Sequence, residues 1–342
     1  MVRAVAPVRV CDIGGWTDTW FSRHGEVCNI AVEPGVQVQV AAYPRDARSE
    51  HVVIDAVDYG ERLVLDPEHP VPERHALLAA AVAEGFAPGT VPDDQSIEIS
   101  ITSGVPPGCA TGTSAAVSVA IIAALDHLSN TRRSLAEIAA AAHRVEVERL
   151  GLQSGVQDQL AAAYGGINHI EITEYPSARV HPIQLTDDAL RELEHRLVLV
   201  YLGRAHHSSE VHEQVGDELA REGSSSPRLE AIRHCGLQAA TALAAADWDL
   251  LGRVMIENTE AQTALHLSLV SDDARRVIAL ARDHGAVGWK VNGAGGDGGS
   301  LTVLCGPGDA SRRALHAAID NAAGISAIPI RLSARGVACW ES

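Results

Sequence analysis

Alternating apolar and polar positions mark four short β-branched runs in the first third of the chain: VQVQVAAY at 36–43, HVVIDAV at 51–57, ERLVLD at 61–66 and SIEISITS at 96–103. A period of two puts one face of each run against a core, so these are expected strands of a mixed sheet. HALLAAAVAEG, between the third and fourth, reads as a helix. The segment VPPGCATGTSAAVSVAIIAALDHL then passes from a Gly/Pro-rich loop into an Ala-rich helix. SLAEIAAAAHRVEVERLG predicts another helix, with Ser134 and Glu137 in a capping-box pattern and Gly151 as its stop. SGVQDQLAAAYGG repeats this grammar with Ser154 and Gln157, ends at Gly165-Gly166, and is followed by the strand INHIEI.

After about residue 185 the composition shifts. RLVLVYLG reads as a strand and 208–266 as several helices broken by the polar loop GSSSP. A helix (DDARRVIALARDHG), two strands (VGWKVNG, SLTVLCG), a helix (ASRRALHAAIDNAAG) and a strand (AIPIRLS) complete the pattern. Strands alternating with amphipathic helices indicate a second sandwich-like α/β layer. With 342 residues, and about 150 per domain as the ordinary size, two domains are expected. They are placed at 1–185 and 186–342.

Composition narrows the function classes. Hydrophobic residues at 46% and charged residues at 21% exclude a wholly disordered chain. A net charge of −17 repels nucleic acid and anionic membrane, so neither is an expected partner. The six cysteines form neither a CxxC pair nor a disulfide-framework spacing, which fits a reducing, cytoplasmic setting. The N-terminus lacks the apolar core of a signal peptide, and no stretch approaches the ~20 apolar residues that span a bilayer. Lys290 is the sole lysine, so any lysine-dependent chemistry must use it.

Three glycine-rich loops carry the chemistry. Pro106-Pro107-Gly108-Cys109-Ala110-Thr111-Gly112-Thr113-Ser114 would present backbone N–H groups at a helix N-terminus, where partial positive charge favours phosphate. It is not the usual P-loop, because the lysine of GxxxxGK[ST] is missing, and alone it is also a common structural connector. Gly293-Ala294-Gly295-Gly296-Asp297-Gly298-Gly299 has five glycines in seven positions, which suggests close approach of a ligand or of another backbone segment, or else a flexible hairpin tip. Asp12-Ile13-Gly14-Gly15-Trp16-Thr17-Asp18 is the third loop.

APVRVCDIGGWTDT, PPGCATGTSAA, SGVQDQ and VNGAGGDGG, in this order, resemble the motifs of the GHMP kinases, the superfamily of galactokinase, homoserine kinase, mevalonate kinase and phosphomevalonate kinase. The resemblance covers nearly the whole chain. GGWTDT and ENTEAQTALH at 257–266 are similar to the branch of L-fucose kinases and heptose-7-phosphate 1-kinases. It implies an α+β fold in two domains, ribosomal-S5-like then ferredoxin-like, with ATP and sugar between them. It further implies an ATP-dependent kinase acting on a sugar or sugar-phosphate hydroxyl, the anomeric C1 hydroxyl first, with Mg²⁺ as cofactor. A GHMP kinase for a non-sugar alcohol, and a sugar- and ATP-binding sensor without turnover, are the alternatives.

By the same resemblance Asp158 matches the catalytic aspartate and Arg9 the basic residue beside it. Pro107 to Ser114 match the ATP loop, Ser114 and Glu146 the metal site, and Asp18 the carboxylate that binds sugar hydroxyls. Gly15, Trp16, Gly155, Gly295 and Gly296 fall on the acceptor side. The sequence departs from the family at Ala110, where glycine is usual, at Cys11, where Asp or Asn is usual, and at Asp297 within the glycine run. The chemistry of these residue types agrees with the implied roles. Phosphoryl transfer needs an aligned hydroxyl, a metal on the phosphates and a cradle of donors. Asp158 can orient the hydroxyl and accept its proton, and Arg9 can stabilise charge on the transferring group.

Other residues stay open at this level. Glu146 and Glu148 are two apart and face different sides of a helix, and spacing selects Glu146. Trp16 can stack on a sugar or plug the domain interface. Lys290 can touch phosphate or be an exposed strand lysine. His206, His207 and His212 cluster without a recognised zinc spacing and read as a polar cleft edge.

Overall fold

The computed structural model describes residues 1–45, 51–65, 75–86, 94–205, 215–219 and 221–341. The expected histidine cluster at His206, His207 and His212 lies outside them. Two strands form the spine of the first half: β1 (Val2–Ile13) and the long β2 (Gly25–Pro44), antiparallel along most of their length. They are followed by β3 (Val52–Ala56), β4 (Glu61–Leu65), the helix α1 (Ala76–Gly85) and β5 (Gln95–Ser103). β5 pairs with the distal part of β2 and β3 lies parallel to β5.

Three helices follow: α2 (Thr113–Leu128) and α4 (Gln157–Tyr164), which pack on β1 and β2, and α3 (Leu135–Arg144), which packs on α2 and α4. Ala116, Ala120, Ala123 and Ala124 on α2 are buried, and their small side chains let the helix lie close against β1 and β2. The capping box expected for α3 is present, since Ser134 Oγ accepts from Glu137 N–H (3.3 Å) and Ser134 N–H donates to Glu137 Oε2 (2.7 Å). The one expected at Ser154 is not. α4 begins at Gln157, whose N–H donates to Asp18 Oδ2 (3.0 Å), while the Ser154 hydroxyl donates to Glu146 Oε2 (2.5 Å). A buried carboxylate without a donor is costly, so Glu146 takes the hydroxyl and Asp18 caps the helix in its place.

β6 (Ile167–Glu174) pairs with the first part of β2, and β7 (Ser177–Pro182) continues that edge. α5 (Asp187–Arg196) leads to β8 (Leu197–Tyr201), and α6 (Pro227–Ala244) and α7 (Trp248–Leu265) pack on each other. α6 lies on β2, whereas α7 touches both β1 and the second sheet. That sheet has the order β11-β8-β10-β9 and is made with α8 (Asp272–Asp283), β9 (Ala286–Val291), β10 (Ser300–Cys305), α9 (Asp309–Asp320) and β11 (Ser326–Ile328). Gly252 on α7 meets Gly288 on β9 so closely that a Cβ on Gly288 would lie 2.5 Å from the Gly252 Cα.

AIPIRLS, expected as one strand, is split. β11 belongs to the second sheet, but β12 (Arg331–Leu332) pairs with β2 and β13 (Ala338–Glu341) with β1. Pro329 stands between them and lacks the N–H that would continue a ladder. Residues 331–341 thus complete the sheet built mainly by residues before 185. No described helix is long and apolar enough to cross a membrane.

Candidate active site

A cavity of about 550 Å³ opens where the end of β1, the loop before α2, the start of α4 and the loop after β9 converge. Arg9, Trp16, Asp18, Gly108 to Ser114, Glu146, Gly155 and Asp158 all line it, together with Asp12, Gly293 and Ala294. Pro107, exposed, and Gly15, buried, belong to the same two loops but do not line the cavity. Gly295 and Gly296 do not reach it: Gly296 N–H donates to Leu269 O (2.9 Å), and a Cβ on Gly295 would lie 2.2 Å from the same oxygen. The close approach inferred from the glycine run is therefore to the backbone at residue 269, and Gly293 and Ala294 face the cavity instead. Asp297 is exposed and lines a separate shallow depression with Gly296, away from the loop 108–114.

Arg9 organises the wall. Its guanidinium grips Asp158 at two points, Nε to Oδ1 at 2.9 Å and Nη2 to Oδ2 at 3.1 Å, and Nη1 donates to the Ala110 carbonyl. Its backbone N–H donates to Thr111 O (2.9 Å). One residue of β1 thereby fixes both the loop before α2 and the aspartate on α4. Burial works against the Arg9 charge, but Asp158, Asp12 and Asp18 outweigh it and hold the guanidinium firmly protonated. The Asp158 side chain remains 27% exposed and lines the cavity.

The loop itself bends through positive φ at Gly108, Ala110 and Gly112. Ala110 tolerates φ 58° where glycine is usual, with Arg9 on its carbonyl as the local restraint. Gly112, φ 70°, precedes the first turn of α2, and no side chain caps that turn. The free amides of Thr113 and Ser114 are thus left for an anion.

Glu146, Asp18 and Asp12 are the buried carboxylates of the cavity wall, and burial shifts the first two. Glu146 is turned inward by a π-helical stretch at Val145–Arg149, whereas Glu148 is exposed, as the spacing argument expects. Ser154 Oγ and Gln159 Nε2 (3.1 Å) donate to Glu146, yet burial, with Asp158 adding to it, lifts its pKa to about 7. Asp18 is lifted to about 6 by burial and by Asp158 and Asp12, against the stabilising Gln157 N–H. Ser114 and Glu146 line one cavity, and Glu146 has no cationic partner among the described residues. A hydroxyl and a desolvated carboxylate are hard oxygen donors that suit Mg²⁺ shared with phosphates.

Lys290 takes neither expected place. It is wholly buried on β9, with Nζ 3.5 Å from Asp12 Oδ1 and donating to the carbonyl of the next residue, Val291. Trp16 is buried at 3% exposure among Phe21, Leu229, Ile232, Leu265 and Ala294, so it plugs the junction of the two halves and shows only part of itself to the cavity. Cys11 is buried too, its thiol pushed up to about 12 by burial, and its N–H donates to Asn292 Oδ1 (3.0 Å). Sequence reasoning quoted the stretch 257–266 but gave no role to Asn258 and Gln262 within it, which bond to the two loops from α7. Their signal was two amides four apart on a mostly apolar buried helix face.

The uncapped N-terminus of α2, an Arg-held aspartate beside it and the loop after β9 from the second sheet thus meet in one cavity. Residues 76–166 match the model of the family described as GHMP kinases N terminal domain, and the chain carries that domain. It is 30% identical over 180 residues to D-glycero-alpha-D-manno-heptose 7-phosphate kinase of Campylobacter jejuni, a stretch covering 53% of each chain. It is 25% identical over 324 residues to the bifunctional fucokinase/GDP-fucose pyrophosphorylase of Arabidopsis thaliana, covering 87% of this chain and 29% of that protein. The aligned stretches thus span about half, and less than a third, of these curated relatives. A solved D-glycero-D-manno-heptose 1-phosphate kinase from Bacteroides thetaiotaomicron superimposes with a TM-score of 0.78 at 22% identity, over 100% of this chain and 99% of that one. The fold is that of the GHMP kinases.

Proposed function

We propose that the protein is an ATP-dependent sugar kinase that transfers the γ-phosphoryl group to a sugar or sugar-phosphate hydroxyl, the anomeric C1 hydroxyl first. The observation that carries this reading is the Asp158 carboxylate, held at both oxygens by buried Arg9 and facing the cavity beneath the loop 108–114. Each Asp158 oxygen keeps a lone pair free of Arg9, enough to orient an acceptor hydroxyl and take its proton. Arg9 holds positive charge where negative charge spreads over the transferring group. Asp18, already accepting from Gln157, has a second oxygen for acceptor hydroxyls. Ser114 and Glu146 would hold Mg²⁺, which supplies charge neutralisation on the ATP phosphates when bound.

On this reading the nucleotide loop, metal pair and aspartate belong to the unit 1–185 and the third glycine loop to 186–342. The names of the relatives, one a heptose 7-phosphate kinase and one a fucokinase, support a sugar acceptor. The charge of −17 supports a small-molecule partner over nucleic acid, and six free thiols support a reducing cytoplasm. Incubation with ATP, Mg²⁺ and a panel of hexoses, heptoses and their phosphates, read by ADP release and by NMR of the product, tests the reading. ADP release dependent on one sugar, with phosphate at C1, is expected. Phosphate at a primary hydroxyl would overturn the C1 assignment, and binding of both ligands without ADP release would favour a sensor.

A further inference from the structure

Gly293 stands where three segments meet, and side chains take both of its backbone polar groups. Its N–H lies 3.1 and 3.0 Å from the two Asp12 carboxylate oxygens, and its carbonyl accepts from Gln262 Nε2 at 3.3 Å. One turn earlier on α7, Asn258 accepts the Gly14 N–H at 2.7 Å and donates to Gln262 Oε1 at 3.4 Å. Asn258 and Gln262 both have zero exposure.

The direction of this relay is forced. An N–H can only donate, so Asn258 must turn its oxygen to Gly14; its nitrogen then meets the Gln262 oxygen, and the Gln262 nitrogen is left for the Gly293 carbonyl. Neither amide is needed by the helix, and burying two of them costs stability unless these bonds are made. Their neighbours on the helix, Leu251, Val254, Met255 and Leu265, are apolar and buried. At the far side of the relay, a Cβ on Gly293 would lie 3.1 Å from Ala110 O and 3.4 Å from Arg9 Nη2, so this loop abuts the nucleotide loop. Lys290 braces Asp12 from the second sheet.

We propose that Asn258 and Gln262 are positioning residues for the acceptor side of the cavity. They fix the spacing between the 12–18 loop, which carries Trp16 and Asp18, and the third glycine loop, which presents Gly293 and Ala294. Neither touches the reacting atoms. Only the kinetic part of this proposal rests on the kinase reading.

Hydrogen exchange of the full chain, resolved by peptide, tests it without turnover. Asn258→Ala should speed exchange ~10-fold or more in peptides covering 12–18 and 292–296 and leave 108–114 near wild type, as expected for a lost buried hydrogen bond. Asn258→Asp keeps the oxygen for Gly14 and lacks the nitrogen for Gln262. It should retain protection at 12–18 and lose it at 292–296, and Gln262→Leu should lose it at 292–296 alone. With a sugar the wild type phosphorylates, Asn258→Asp and Gln262→Leu should raise the acceptor KM ~10-fold with the ATP KM within about twofold. Protection unchanged in both loops, lost evenly along the chain, or both KM values rising together would overturn the relay. A wild type that phosphorylates nothing would refute the kinase reading alone, since exchange still decides the relay. Should Asn258→Ala not fold, the exchange patterns of Asn258→Asp and Gln262→Leu decide between the same outcomes.

Discussion

Asp158 and Asp18 lie in one cavity, yet their surroundings give them different work. Asp158 is neutralised by a two-point grip from Arg9, whereas Asp18 is buried with a helix amide as its donor. Asp158→Asn keeps the shape and loses the charge, and should lower kcat by roughly 10²–10⁴-fold with both KM values changed far less. Steady-state kinetics on folded, ATP-binding protein decides this, and a near-wild-type kcat would remove Asp158 from proton transfer. For Asp18 the testable quantity is stability. Its folded pKa of about 6 lies above the ordinary carboxylate value, so the folded state binds more protons than the unfolded state between these pH values. The Asp18 contribution to stability is therefore fully present below pH ~4 and is lost as pH rises through about 6. Asp18→Asn should be more stable than wild type at pH 8, by up to roughly 2–3 kcal/mol, with the gap closing toward pH 4. Melting temperatures of both proteins across that range would show it; a constant gap would mean that the effect is packing and not charge.

Among the elements, those governed by local periodicity were legible. The strands at 36–43 and 96–103, the helices at 113–128 and 272–283 and the Ser134 cap all follow from spacing within about a dozen residues. Ser154 was misread because its rival partner, Glu146, competes through tertiary structure, and a capping pattern says nothing of that. Lys290 was misread for the same reason, since its partner Asp12 lies 278 positions away in a different sheet. Through the family resemblance the sequence picked out Arg9, Asp18, Glu146 and Asp158, which the fold brings to one cavity. The candidate site was illegible at Gly295, whose close neighbour proved to be backbone. The Gly155 turn before α4 offers a prediction of its own. A Cβ there would sit 2.1 Å from Asp18 Oδ2, so Gly155→Ala must displace the carboxylate or the turn. The acceptor KM should rise ~10-fold or more while the ATP KM stays near wild type, measured by varying each substrate in turn.

For the molecule as a whole, charge and chain path matter more than any one bond. A protein of net charge −17 that binds a polyanion works against its own field except at the Arg9 wall and the α2 amides. Raising salt from ~10 to ~150 mM shortens the Debye length from about 30 to about 8 Å, so the association rate of ATP should rise over that range. Stopped-flow mixing with a fluorescent ATP analogue measures it, and a monotonic fall would show that the cavity attracts phosphate over long range. The path of the chain has a consequence in time. β1 is made just before β2, with which its inner edge can pair at once, but the outer edge at Val2–Val5 is covered only by Ala338–Glu341, more than 330 residues later. At ~5–20 residues per second that edge stays open on the ribosome for tens of seconds. An unpaired edge invites other strands, so the nascent chain is most vulnerable to misassociation there. The strand that carries Arg9 is made long before it is sealed.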